Sequence, residues 1–154
     1  EPMVQHFPIA LVRNPDPDAG QDSSLRLGLQ ALSPRVDAVL IALADQPLIG
    51  SKDIEDLINA YDERPTGTQV VRPFVDGLPG NPVMFSRSVL EQILAGDVHA
   101  GARQWQAAHP EAVHRWHTAN QHYRIDVDSP ADLEALVNNT GLQLRWPDHL
   151  EQPL

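Results

Sequence analysis

Apolar residues along this chain come in short blocks separated by turn-forming stretches, and the longest block is the most informative. Residues 39–44, Val-Leu-Ile-Ala-Leu-Ala, form an unbroken apolar run that stops at Asp45, Gln46 and Pro47. A run apolar on both faces predicts a central strand of a parallel sheet covered by helices, here spanning residues 36–44. Pro47 has no N–H and ends the ladder. Ligands of open α/β sheets collect beyond the carboxyl ends of strands, which is where Asp45 falls. On the tripeptide alone, a plain polar turn in which Asp45 caps the next helix is an equal reading.

The remaining blocks alternate between the two periods. Strands are predicted at residues 7–12, 69–73, 82–85, 113–117 and 123–127. Helices are predicted at residues 23–32, with Leu25, Leu29 and Leu32 on one face and a serine as N-cap, and from Ser51, with acids in the first turn. Further helices are predicted at residues 87–94 and 100–108, and after Ser129-Pro130, where a serine N-cap, a proline at the first position and an early acid coincide. Residues 14–20 and 76–80 are dense in Asn, Asp, Pro and Gly and predict loops. Alternating strands and helices predict an α/β sandwich with a largely parallel sheet. One domain over residues 1–140 and a weakly patterned tail over 141–154 are expected.

Composition narrows the function. The chain has 154 residues and no cysteine, which removes disulfides, thiolate metal sites and cysteine nucleophiles, and fits a cytoplasmic protein. No apolar stretch is long enough for a membrane helix. The formal net charge is −10, the wrong sign for a DNA or RNA surface, which needs basic groups to displace counterions. An acidic protein can still bind a nucleotide through Mg²⁺, which bridges carboxylates to phosphates. Walker A, Gly-x-Gly-x-x-Gly and Ser-His-Asp patterns are lacking.

Four features carry candidate chemistry. Two predicted strands end in acids, one at Asp45 and one at Asp126-Val127-Asp128, and two carboxylates at neighbouring strand ends suit a hard cation. Alternation points Asp126 opposite to Val127 and favours it as a ligand, whereas Asp128 is better explained as a helper of the following helix. The loop bearing Gly20 runs into a helix start at Ser23 and Ser24 and offers backbone N–H groups, or is an ordinary loop with a serine cap. Arg72 can meet a phosphate bidentately, and Gly80-Asn81-Pro82 combines close backbone approach with a side-chain amide; otherwise this is a hairpin with a surface arginine. His114 and His117, three apart on a strand, point to opposite faces and make a poor metal pair. Trp105, Trp116 and Trp146 are expected in the core or an interface.

Five segments then occur in the order and with the gaps of one family. They are Ser23 to Leu29, Leu43 to Pro47, Gly80 to Phe85, Gly101 to Arg103 and Asp126 to Leu133, and over residues 9–137 the chain resembles the MobA-like nucleotidyltransferases. The Ala-Asp-Gln-Pro and Gly-Asn-Pro-Val segments make it most similar to the molybdenum cofactor cytidylyltransferase branch. The resemblance implies a Rossmann-like three-layer α/β/α sandwich. It implies transfer of CMP from CTP to the terminal phosphate of molybdopterin, with release of pyrophosphate and Mg²⁺ as cofactor. It places Asp45 and Asp126 on the metal as the catalytic pair, and Gly20, Ser23, Ser24, Gln46 and Pro47 on the nucleotide. Arg72, Gly80, Asn81, Pro82 and Arg103 face the acceptor, although many members carry His where Asn81 stands. A molybdoenzyme of the xanthine dehydrogenase type, or its chaperone, is the implied partner.

The family's glycine-rich nucleotide loop, Leu-Ala-Ala-Gly-x-x-x-Arg-x-Gly-x-x-Lys, does not occur before the first segment. This implies a domain incomplete at its N-terminus and, for the chain as written, little or no activity, since that loop cradles and neutralises the triphosphate. GTP in place of CTP, a sugar-phosphate acceptor, or a non-catalytic module in molybdoenzyme maturation are the alternatives.

Overall fold

A computed structural model describes residues 7–96 and 101–142. Among these residues five strands and five helices follow in the order α1 (Gln21–Gln30), β1 (Ala38–Ile41), α2 (Ser51–Asp62), β2 (Val70–Val75), β3 (Leu78–Pro79), β4 (Val83–Ser86), α3 (Arg87–Ala95), α4 (Ala102–Ala108), β5 (Val113–His117) and α5 (Pro130–Thr140). Among the described residues no helix is long and apolar enough to cross a membrane.

The strands form one sheet in the order β1-β4-β2-β3, with β5 parallel to β2. Strand β4 lies antiparallel to both β1 and β2. Strands β1, β2 and β5 therefore run the same way, giving the mostly parallel sheet expected from the alternation, and the short β3 and β4 run against them. Its reversal follows from the tight β2–β3 hairpin, which turns at Asp76 (φ 53°) and Gly77 (φ 78°), leaving β4 to come back beside β2.

Strand side chains alternate between two cores, as the period of two requires. Val70, Val83 and Phe85 face α1, α3 and α4, joining Leu29, Val89, Leu90, Ile93 and Trp105, with Val39 and Ile41 packed against them. Val71 and Met84 face α2, joining Leu57, Ala60 and Tyr61, with Ala38, Leu40 and Trp116 beside them. Helices on both faces make the three-layer α/β/α sandwich. Arg26 locks α1 onto the end of α3, donating to the Ile93 and Leu94 carbonyls at 2.6 and 2.7 Å. A cation at the carbonyl end of a helix is favoured by the dipole.

Several expectations are corrected. The apolar run around Leu40 forms a strand only over Ala38–Ile41, and its residues are half-buried; it ends the described strand order and is not central, because β4 is its sole described neighbour. Residues 7–12 are not a strand: no described strand lies alongside to pair them, and Phe7, Ile9, Leu11 and Val12 are exposed. Residues 123–127 are not a strand either, because the chain coils into a 3₁₀ turn over Gln121–Arg124. Helix α1 starts two residues early, with Gly20 (φ 93°) at its N-cap in place of a serine. Helix α5 follows its signals closely: Asp132 Oδ2 accepts from Ser129 N at 2.8 Å, and Ser129 Oγ accepts from Asp132 N at 3.3 Å. The helping acid is Asp132 and not Asp128. The tail beyond residue 142, with Trp146, lies outside the described residues.

Candidate active site

Past Ile41 the chain leaves the ladder and runs through Leu43 to Asp45 at the carboxyl end of β1. Asp45 is half-buried, and its Oδ1 is buried with no hydrogen-bond partner; the same is true of Gln46 Oε1. A buried acceptor without a donor costs about 1–3 kcal/mol, so two on adjacent residues mark a place built to receive something. The Asp45 carbonyl accepts from Val127 N at 2.9 Å, which ties this strand end to the segment bearing Asp126. Asp126 is exposed and lines a separate cavity of about 230 Å³ with Arg124, Asp132 and Asn139. Among the described residues no group of three or more His, Cys, Asp or Glu side chains gathers as a metal cage. Asp45 Oδ1, a hard carboxylate oxygen lacking a donor, is chemically suited to a divalent cation, while the Asp126 side chain belongs to the separate cavity.

Beside Asp45, a second feature opens between β1, β2, β4, α1 and α4. A cleft of about 170 Å³ is floored by Leu25, Ile41, Val83 and Phe85 and edged by Arg72, Asn81 and Arg103. It is smaller than the roughly 300–1,000 Å³ of a pocket that engulfs a whole drug-sized ligand, and suits the phosphate-bearing end of one. Burial and the neighbouring Arg103 charge both push the Arg72 guanidinium below its ordinary pKa, so two like charges converge here. Arg72 Nε donates to the Gly80 carbonyl at 3.1 Å, which fixes the plane of its fork. Arg72 and Arg103 lie thirty-one positions apart in sequence and are brought together because β2 and the start of α4 share one end of the sheet.

The other proposed site residues are distributed as follows. Gly20, Ser23 and Ser24 sit together at the start of α1, where Asn14 Nδ2 reaches both serine hydroxyls at 2.8 and 2.9 Å. Gln46 is 8% exposed and donates from Nε2 to the Tyr123 carbonyl at 3.2 Å, while Pro47 is exposed. Gly80 is buried with its backbone against Tyr123, and the Asn81-Pro82 bond is cis, with Pro82 fully buried. Neither Asp45 nor Asp126 lines the arginine cleft.

Sequence reasoning missed three cleft residues, Gln21, Asp22 and Gln106. Gln106 was legible: it follows Ala102 and Arg103 at the i+4 and i+3 spacings that share a helix face. Asp22 leans on Gly101, where any side chain would collide with its carboxylate. Also missed was a buried polar cluster behind the site, in which Asp53 collects Gly50, Asn120 and His122. Burial penalises the Asp53 charge, but those hydrogen bonds outweigh it and hold the carboxyl below its ordinary pKa.

An α/β/α sandwich with an acid at a strand end and an arginine cleft alongside has the layout of a nucleotide-handling domain. The comparisons make this specific: residues 1–113 match the MobA-like NTP transferase domain, and the chain belongs to that family. Among solved structures it is similar to Rv0371c from Mycobacterium tuberculosis H37Rv, with 20% identity and a TM-score of 0.65, over 88% of this chain and 66% of that one. A manganese complex of Rv0371c matches at 23% identity and a TM-score of 0.59, over 75% of this chain and 60% of that one. The 4-diphosphocytidyl-2C-methyl-D-erythritol synthase from Anaerococcus prevotii DSM 20548 matches at 18% identity and a TM-score of 0.53, over 73% of this chain and 60% of that one. The chain thus spans 60–66% of the length of these neighbours. No curated protein sequence matches it.

Proposed function

We propose that the protein to which this chain belongs is a divalent-metal-dependent nucleotidyltransferase, and that it transfers CMP from CTP to the terminal phosphate of molybdopterin. The observation that carries this reading is the pairing of Asp45, whose buried Oδ1 lacks a donor, with a two-arginine cleft in a chain of the MobA-like family. An acceptor phosphate oxygen attacks the α-phosphorus of the nucleotide; the new P–O bond forms as the bond to pyrophosphate breaks. Arg72 and Arg103 hold the acceptor phosphate, with Arg72 presenting the fork set by Gly80. Asn81 donates to the same group from the cleft wall. Leu25, Ile41, Val83 and Phe85 exclude water from the apolar side of the cleft. In this reading Gly20, Ser23 and Ser24, at the start of α1, contact the nucleotide base. Asp45 and Asp126 would hold the cation, Mg²⁺ or the Mn²⁺ seen with Rv0371c, which when bound neutralises charge on the nucleotide phosphates.

The test is turnover of CTP and of GTP with molybdopterin and Mg²⁺ or Mn²⁺, read as pyrophosphate release by the full-length protein. Release with CTP, abolished in Asp45→Asn with the fold intact, is the expected result. Release with GTP alone moves the protein to the guanylyl branch. No release with either nucleotide overturns the enzymatic reading in favour of a binding module in molybdoenzyme maturation.

A further inference from the structure

The cluster behind the site does not line the arginine cleft, yet two loops of the site, 45–46 and 80–81, are attached to it. Tyr123 is 1% exposed, and its hydroxyl donates to the Asp53 backbone carbonyl at 2.7 Å. Its own carbonyl accepts twice, from Asn81 N at 2.9 Å and from Gln46 Nε2 at 3.2 Å. Asp53, 5% exposed in the first turn of α2, accepts from Gly50 N at 2.8 Å, Asn120 Nδ2 at 2.6 Å and His122 Nδ1 at 3.1 Å. The Tyr123 ring stands edge-on to Trp116 with centroids 5.5 Å apart. Four residues on, Val127 N binds the Asp45 carbonyl. Three segments, 45–46, 50–53 and 80–81, are therefore hydrogen-bonded to the one stretch 120–127, which is distant from all of them in sequence.

We infer that Tyr123 and Asp53 are positioning residues, setting Asn81 and Gln46, and through Gly80 the Arg72 fork, in the geometry that receives the acceptor phosphate. Asp53, Asn120, His122 and Tyr123 do not line the arginine cleft, so they act through the groups they hold and not on a ligand. A buried carboxylate is a poor device for stability alone, since an apolar group of the same shape serves as well or better; its value lies in fixing one arrangement of its donors. Asp53 has that form, with three donors from two segments converging on one side chain. Tyr123 passes the arrangement on, because its hydroxyl end is fixed on α2 and its carbonyl end catches both site loops. The contact is close enough to dictate residue 80: a Cβ on Gly80 would lie 2.6 Å from the Tyr123 oxygen.

The inference rests on the nucleotidyltransferase reading only for what the cleft binds, and the test separates the two. Amide hydrogen exchange is followed by NMR in the full chain, wild type, Tyr123→Phe and Asp53→Asn, together with titration of inorganic phosphate into the cleft. The expected result is at least tenfold faster exchange of the Asn81 N–H, shifted Gln46 side-chain amide signals, and at least fivefold weaker phosphate binding, with exchange in β2 and β4 unchanged. Unchanged Asn81 exchange in both variants overturns it. So does loss of protection throughout the sheet in both, for Tyr123 would then hold the core and not the loops. Failure of the wild type to bind phosphate in the cleft counts against the proposed function, and leaves the exchange result to decide this inference.

Discussion

Gly80→Ala is the substitution for which the structure sets the size of the effect most directly. Gly80 does not have a left-handed φ, so alanine meets no backbone strain there; the obstacle is steric. The new Cβ would sit 2.6 Å from the Tyr123 carbonyl oxygen and 3.0 Å from its Cβ. Ordinary contact begins at 3.4 Å, so the two backbones must part by about 0.8 Å. Neither yields easily, because Tyr123 is fixed by its bond to Asp53 and Gly80 by its N–H to the Pro73 carbonyl at 2.8 Å. Overpacking of this kind costs about 1–3 kcal/mol. Opening along the Asn81 N to Tyr123 O bond, now 2.9 Å, breaks it and adds about 1 kcal/mol. The sum is about 2–4 kcal/mol. With a urea slope of about 2 kcal/mol/M the unfolding midpoint falls by roughly 1–2 M. Equilibrium urea unfolding followed by far-ultraviolet circular dichroism measures this. A midpoint within roughly 0.3 M of wild type, on the same slope, would refute the claim that the Gly80–Tyr123 approach is tight and rigid.

Gly28→Ala is the opposite case: the position is helical and exposed with nothing within 4 Å of a Cβ, so stability rises by about 0.5–1 kcal/mol in the same assay. Arg72→Ala weakens phosphate binding by roughly 10–100-fold in calorimetric titration, the worth of a charge-assisted pair, and Arg72→Lys does not restore it because the fork is lost. Asp53 has a folded-state pKa below its unfolded value, so its stabilising contribution is complete at neutral pH, is lost as pH falls through the ordinary carboxylate range, and is gone below the folded pKa. Urea midpoints measured from pH 7 to pH 3 therefore fall less steeply in Asp53→Asn than in wild type, and equal slopes would exclude this role.

Local pattern determined a good part of this protein. The helix at Pro130–Thr140 was legible because its start is decided by neighbours within four residues: Ser129, Pro130 and Asp132 satisfy one another. Strands β2, β4 and β5 were legible as apolar blocks, and Asp45 could be set beyond the carboxyl end of a strand, although the ladder stops at Ile41, well before Pro47. The residues 7–12 and 123–127 look the same in sequence, yet neither is a strand, because a strand exists only where another edge takes its N–H and C=O groups. That partner is a tertiary fact. So is the reversed direction of β4, which follows from a hairpin and not from its own four residues. The family's five segments named most of the candidate site, but could not say that Arg72 and Arg103 share a cleft while Asp126 lies in another cavity. Tyr123 carried no signal at all, for its part in the site is played by a backbone carbonyl, which every residue possesses, and by a hydroxyl whose partner lies seventy positions away. Side-chain chemistry can be read along a chain; which backbone groups meet, and across what distance, is decided only when the chain has folded.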